Sequence, residues 1–268
     1  MTRALALVTA ALAFPAVFAA CGGDGGGDAT PALRETAEKL GQIRSGDINF
    51  AMEVDPQGDA EPFGFSFTGP FELGEAGELP RVDVEYTQRA NGEDATVRLV
   101  SDGERAVAFL GGQEIELDEE ALEDLRQAGA EVLGADESDD EGLEELRVDR
   151  WLVEPKLSDG PDGTDKIEGE LDIVEVAKGL IELAGSLTDT QKLDEESAQQ
   201  LRDAVESSEF ELLTGEDDRL LRRLSLAAVI AAEVPEELRD ALGDVVGGEF
   251  SFLLEIDGPN EPVEISLP

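Results

Sequence analysis

Apolar and polar residues alternate with a period of two through most of the first half of the chain, the mark of strands with one buried face. Ile48, Phe50, Met52 and Val54 alternate with Asn49, Ala51 and Glu53. Phe63, Phe65 and Phe67 repeat the pattern and lead to Phe71 and Leu73, followed by Val82, Val84 and Tyr86 among Arg81, Asp83, Glu85 and Thr87. Ala95, Val97 and Leu99 come next, then Val107 and Phe109 beyond the Asp102-Gly103 turn, and Ile115 and Leu117 beyond Gly111-Gly112. Tight turns between short strands predict an antiparallel meander.

Helical periods interrupt it. Asp118 is placed to cap a segment with Glu119 and Glu120 in its first turn and Leu122, Leu125, Gly129 and Val132 on one face, up to Gly134. A short strand, Lys166–Leu171, leads into a second helix. There Asp172 and Glu175 have capping-box spacing, and Ile173, Val176, Ala177, Leu180, Ile181 and Ala184 form an apolar stripe. A third begins near Asp194 and carries Ala198, Leu201, Ala204 and Val205. Strands then return: Phe210 and Leu212, a long segment 219–232 with Leu220, Leu224, Leu226, Ala228 and Ile230 on one face, and Phe250, Phe252, Leu254 and Ile256. Val263, Ile265 and Leu267 predict a last strand, and 235–246 a short helix opened by Pro235. The expected fold is α+β, a curved antiparallel sheet of roughly ten or eleven strands with three or four helices.

The N-terminus is of another kind. Arg3 precedes an uncharged apolar stretch, Ala4–Ala20, and then comes Cys21, the only cysteine, followed by Gly22-Gly23-Asp24-Gly25-Gly26-Gly27-Asp28. This is the layout of an export signal. Ala19-Ala20-Cys21 resembles the end of a bacterial lipobox, in which the cysteine is lipidated and becomes the mature N-terminus. A retained membrane anchor is the competing reading, since about 20 apolar residues span a bilayer. Pro15, the weak flanking charge and the Gly/Asp run speak against it. The expected organisation is a signal over 1–21, a flexible tether over 22–31 and one domain over 32–268, placing the protein outside the cytoplasm on the outer face of the cell membrane.

Composition narrows the function. The formal charge of −44 is incompatible with nucleic-acid binding and with a basic lipid-binding patch, both of which need clustered Lys and Arg. There is no histidine, so the commonest general base and metal ligand are absent. With Cys21 consumed by the anchor, no thiol remains for catalysis, zinc or a disulfide. No GxxxxGK[ST] run is present to bind a nucleotide. The expectation is a protein that is not an enzyme, with no cofactor and no metal.

Three stretches carry a family likeness. Asp162-Gly163-Thr164-Asp165-Lys166-Ile167-Glu168-Gly169-Glu170-Leu171-Asp172 is similar to a strand running into a central helix. Gly215-Glu216-Asp217-Asp218-Arg219-Leu220-Leu221-Arg222-Arg223-Leu224 is similar to a late hairpin. Phe252–Ile256 with Asn260–Pro268 is similar to two closing strands. With the lipobox, their order resembles the actinobacterial LppX/LprG lipoproteins, related in fold to the outer-membrane carriers LolA and LolB. Two segments depart from the pattern: the acidic run 136–145 and the long connection 234–248.

The resemblance implies a half-open barrel with helices on its concave side and an apolar cavity between the layers. It also implies a function, binding an acylated lipid or glycolipid and carrying it between membranes or to an envelope transporter partner. The expected lining is Phe50, Met52, Phe65, Phe67, Val84, Tyr86, Val97, Leu99, Phe109, Leu125, Val176, Leu180, Phe210, Leu224, Phe252 and Leu254, with Gly64 and Gly69 easing curvature. Alternation is the same for a cavity lining and for a filled core, so a structural or signalling lipoprotein acting through protein contacts is the alternative. An enzyme with a carboxylate pair is a third class, for which no distinctive acid motif stands out. Arg222 has two readings, a headgroup partner or a strand-end residue reaching solvent. Asp159, Asp162 and Asp165 lack the ligand spacing of a calcium loop and predict a hairpin turn. Trp151 is either an interfacial anchor or an aromatic against the core.

Overall fold

The computed structural model describes residues 27–58, 61–74, 77–90, 92–119, 121–123, 125–126, 150–176, 178, 195–233 and 246–267. Twelve strands form one antiparallel sheet: β1 (Gly27–Asp28), β2 (Ser45–Pro56), β3 (Phe63–Glu72), β4 (Arg81–Ala90), β5 (Glu93–Asp102), β6 (Ala106–Leu110), β7 (Gln113–Glu116), β8 (Leu152–Asp159), β9 (Thr164–Leu171), β10 (Val205–Gly215), β11 (Leu221–Glu233) and β12 (Val246–Asp257). Their spatial order is β1-β8-β9-β10-β11-β12-β2-β3-β4-β5-β6-β7, so two meanders meet where β12 pairs with β2. The sheet is curved and does not close.

Register sorts the side chains onto two faces, because partners directly opposite in an antiparallel pair point the same way. Ile167, Leu212, Leu224, Leu254, Phe50 and Phe67 form one cross-strand row, and Phe210, Leu226, Phe252, Met52 and Phe65 the next. The rows continue from Phe67 through Tyr86 and Val97 to Leu110. The other face is largely polar. Arg98 binds both carboxylate oxygens of Asp83 at 2.7 Å, Arg89 joins Glu53 and Asp94, and Lys166 lies between Glu168 and Glu211.

Two glycines let the backbones come together. A Cβ on Gly64 would lie 2.2 Å from the Met52 carbonyl oxygen, and one on Gly69 2.1 Å from that of Asp83. Gly69 also has φ +133°, which L side chains rarely adopt. Both stand beside the phenylalanines of β3, where close approach lets the sheet coil.

Helix α1 (Thr30–Lys39) covers the apolar face over the C-terminal meander. Pro31 stands in its first turn, where the missing N–H costs nothing. Ala29, Ala32 and Leu33 are buried in one cluster with Ile43, Trp151, Leu152, Ile167, Leu171, Val176, Phe210, Leu212 and Leu224. Leu33 and Ile167 are both 0% exposed, so this half of the sheet is a closed core. A buried hydrogen bond from Thr36 Oγ1 to Thr214 Oγ1, 2.8 Å, sets the helix's position along β10. Helix α2 (Glu195–Ala204) runs directly into β10, with Ala198, Leu201 and Ala204 buried.

The predicted caps form. Asp118 Oδ1 accepts the Ala121 amide at 2.9 Å, and Asp172 Oδ1 accepts those of Val174 and Glu175. Glu175 does not complete a capping box; its carboxylate takes Lys178 at 2.6 Å instead.

Three expectations change and a fourth is met. Residues 27–31, assigned to the tether, form β1 and begin α1, with Gly27 opposite Leu157 and Asp28 opposite Lys156. The strand β8 is absent from the pattern reading because Pro155 and a register shift between Val153 and Lys156, with Glu154 at φ 48°, break the alternation. The predicted strand at Val263–Leu267 is coil over the described residues 261–267. It follows β12, whose two neighbours β11 and β2 already occupy both edges, so no ladder is open to it beside its predecessor. Instead Ile265 is buried and its carbonyl oxygen lies 3.4 Å from the Arg81 guanidinium. Finally, Asp159, Asp162 and Asp165 belong to the β8–β9 hairpin, whose turn has positive φ at Asp162 and Gly163. The acidic run 136–145, the segment 234–245 and the signal lie outside the described residues.

Candidate functional site

The apolar face is not covered evenly, and the difference marks the site. Under α1 it is packed. Across β2, β3, β4, β5 and β12 it carries large side chains that remain half-exposed: Phe50, Met52, Phe65, Phe67, Tyr86, Val97, Leu99, Phe252 and Leu254. Burying a large apolar side chain contributes about 1.5–3 kcal/mol over leaving it in water. A row of aromatics left half-open therefore forgoes stability that a filled core would have.

The rings form a connected track. Phe50 stacks on Phe65 with centroids 5.4 Å apart, and Phe252 meets Phe50 edge-on at 5.3 Å. Phe65 and Tyr86 lie 6.1 Å apart, tilted by 38°. Register explains the track, since Met52 is opposite both Phe65 and Phe252, while Phe67 is opposite both Phe50 and Tyr86. Burial pushes the Tyr86 phenol above its ordinary pKa, the only titratable tip on the track. Towards β7 the face becomes more open: Leu110 is 49% and Ile115 43% exposed.

Twelve of the sixteen expected lining residues are strand residues sharing this apolar face. Three of those are core: Val84, Phe210 and Leu224 are buried. Val176 is buried in the cluster beneath α1. Leu125 is half-buried and helical. Leu180, like the lipidation residue Cys21, lies outside the described residues.

Phe109 is a correction. It pairs with Arg98 and Glu114 on the polar face, and the Arg98 guanidinium carbon lies 6.0 Å from its ring centroid. The residues of β6 on the apolar face are Ala106, Ala108 and Leu110. In so short a strand Val107 and Phe109 outweigh the alanines, so hydrophobicity chooses the wrong phase; a one-residue slip exchanges the faces. Phe63 and Phe250 are missing from the expected lining, although both extend the half-exposed face opposite Val54. Their alternation with Phe65 and Phe252 is the signal that identifies them.

Trp151 is a core residue, buried, with its carbonyl oxygen accepting the Asp172 amide at 2.7 Å. Arg222 is a strand-end residue. Its guanidinium donates to Asp218 at 2.7 Å and to the Leu220 carbonyl at 3.1 Å, away from the ring track. Among the described residues, no group of three or more acidic side chains converges as a metal site.

No family model and no curated protein matches the chain. Solved structures similar to it include two of note. The crystal structure of LprF from Mycobacterium bovis is 13% identical over 90% of this chain and 96% of that one, with a TM-score of 0.42. The LolA superfamily protein NE2245 from Nitrosomonas europaea is 12% identical over 88% and 96%, with a TM-score of 0.21. At these scores neither carries a functional argument.

Proposed function

We propose that this protein is an envelope lipoprotein that binds the acyl chains of a lipid or glycolipid on the aromatic half of its sheet and carries the molecule between membranes or to a partner. The observation behind this reading is the contrast across one face: closed beneath α1, with Phe252 and Leu254 packed at its margin, and half-open over Phe50, Phe65, Phe67 and Tyr86. Acyl chains suit such a surface. They need no catalytic or charged partner, and each methylene removed from water contributes about 0.8 kcal/mol.

Transfer is passive in this scheme. A lipid partitions from the membrane onto the face, and helix or loop motion covers it. An acceptor then receives the lipid. Direction comes from partners or lipid gradients. Cys21, lipidated, holds the protein at the outer face of the cell membrane. Its acidic surface repels anionic lipid, so the anchor supplies the retention. The protein performs no chemistry on its cargo.

Native mass spectrometry of the domain lacking residues 1–21, followed by solvent extraction, tests the reading. A discrete co-purifying mass that extracts as acyl lipid supports it. An apo mass that also takes up no added phospholipid or acylated glycolipid overturns it and leaves the lipoprotein that acts through protein contacts.

A further inference from the structure

The two ends of the sheet differ in their distance from Cys21. Gly27 and Asp28, the first described residues, pair with Leu157 and Lys156 on the outer edge of β8. Six residues, Cys21–Gly26, separate the proposed lipid attachment from that ladder. Six residues reach at most about 20 Å when fully extended, at 3.3–3.6 Å each. At the other end of the strand order lies β7, eleven strand spacings from β1. At roughly 4.8 Å per spacing this is about 50 Å measured along the curved sheet.

We infer that the β1–β8 edge is the membrane-proximal edge, held against the bilayer surface by the short link to Cys21, while the β6–β7 edge projects away from that membrane. The inference rests on the proposed lipidation of Cys21. The occupant of the β8 edge is the lipid surface itself, because the chain length between anchor and fold permits no larger gap. Beyond Lys156 and Leu157 this edge offers Val153, 48% exposed, at the foot of β8. Repulsion between a chain of charge −44 and anionic lipid cannot lift it further than the covalent link allows. The exposed Leu110 and Ile115 are then presented on the side facing away from the anchoring membrane. Cargo on the aromatic track lies between a donor-side edge and an acceptor-side edge.

The single tryptophan makes the test direct, since Trp151 immediately precedes β8. The full-length protein, processed and lipidated in its host, is reconstituted in phosphatidylcholine vesicles carrying a dansyl-headgroup lipid, and energy transfer from tryptophan is measured. Mass spectrometry first establishes the acyl modification on Cys21. Transfer from Trp151 is expected to be several-fold stronger than from a W151F/I115W variant, whose donor sits on β7. A second variant keeps Trp151 and inserts twenty Gly/Ser residues between Gly23 and Asp24. It is expected to lose most of the transfer, which keeps the test decisive if W151F fails to fold.

Equal transfer from the two donor positions, or transfer unaffected by the longer link, overturns the edge assignment and leaves lipid uptake by the domain untouched. An unmodified Cys21 removes the anchor and overturns the inference with it. Failure to take up lipid, measured on the soluble domain, counts against the carrier function alone.

Discussion

Replacing Phe65 by alanine separates a binding surface from a core. The ring is half-exposed and touches Phe50 and Tyr86, with centroids 5.4 and 6.1 Å away. A fully buried Phe→Ala change costs about 3–5 kcal/mol; with part of the ring already in water, about 2–3 kcal/mol is expected. Leu33→Ala is the comparison. Leu33 is wholly buried under α1, and its loss costs about 2–5 kcal/mol depending on how far the site collapses. The order reverses for ligand. Removing the Phe65 ring uncovers two or three methylenes of a bound chain, about 2 kcal/mol, or roughly 30-fold weaker binding. Leu33→Ala leaves the affinity of the folded protein unchanged. Phe109→Ala, on the polar face, also leaves it unchanged. Urea unfolding gives the stabilities, and titration with a fluorescent fatty acid the affinities. If binding losses simply follow stability losses across the three variants, or if Phe109→Ala weakens binding as much as Phe65→Ala, the aromatic track is not the lipid surface.

Three further outcomes follow from the geometry. Thr36→Val leaves the buried Thr214 hydroxyl only its longer bond to the Leu220 carbonyl at 3.3 Å and is expected to cost about 0.5–1.5 kcal/mol, while the double variant with Thr214→Val recovers part of it in a urea double-mutant cycle. Gly69→Ala drives a Cβ into the Asp83 carbonyl at φ +133° and is expected to cost at least about 1–3 kcal/mol, seen as a lower urea midpoint; a neutral result would refute the close β3–β4 approach. Burial raises the Asp218 pKa, but the Leu220 amide and the Arg222 guanidinium outweigh it and hold the carboxyl below its ordinary value. Its stabilisation is thus fully present above the unfolded-state pKa, about 3.9, and is lost as pH falls from there through the lowered folded value. Asp218→Asn should therefore differ from the parent by a constant amount near neutrality, the gap narrowing only in that acid range of a urea-midpoint series.

How much was legible beforehand varies with how local the signal is. The strands β2, β3, β4, β5 and β12 are readable because their alternation runs unbroken over many residues, and register is strongly specified when one face is apolar. The ring track was readable for the same reason. Where the cue is short or interrupted, reading failed: β6 has the wrong phase, β8 is hidden by Pro155 and a bulge, and α1 carries a modest apolar face behind a glycine run. Val263–Leu267 alternates well and is still not a strand, because strand formation needs a free edge and alternation says nothing about edges.

The sequence by itself determined that one face of a long antiparallel sheet is apolar, that the chain has no histidine, and that Cys21 is its single cysteine. All three depend on residue identity and near-neighbour spacing. Only the tertiary structure decided which part of that face is closed and which is half-open. Phe210 and Phe252 have the same side chain, lie in similar strands and belong to one cross-strand row, yet Phe210 is buried and Phe252 is half-exposed. The physical reason is that burial is a property of what lies above a residue. Here that is a helix from the far N-terminus, joined to β10 by a hydrogen bond between residues 178 positions apart.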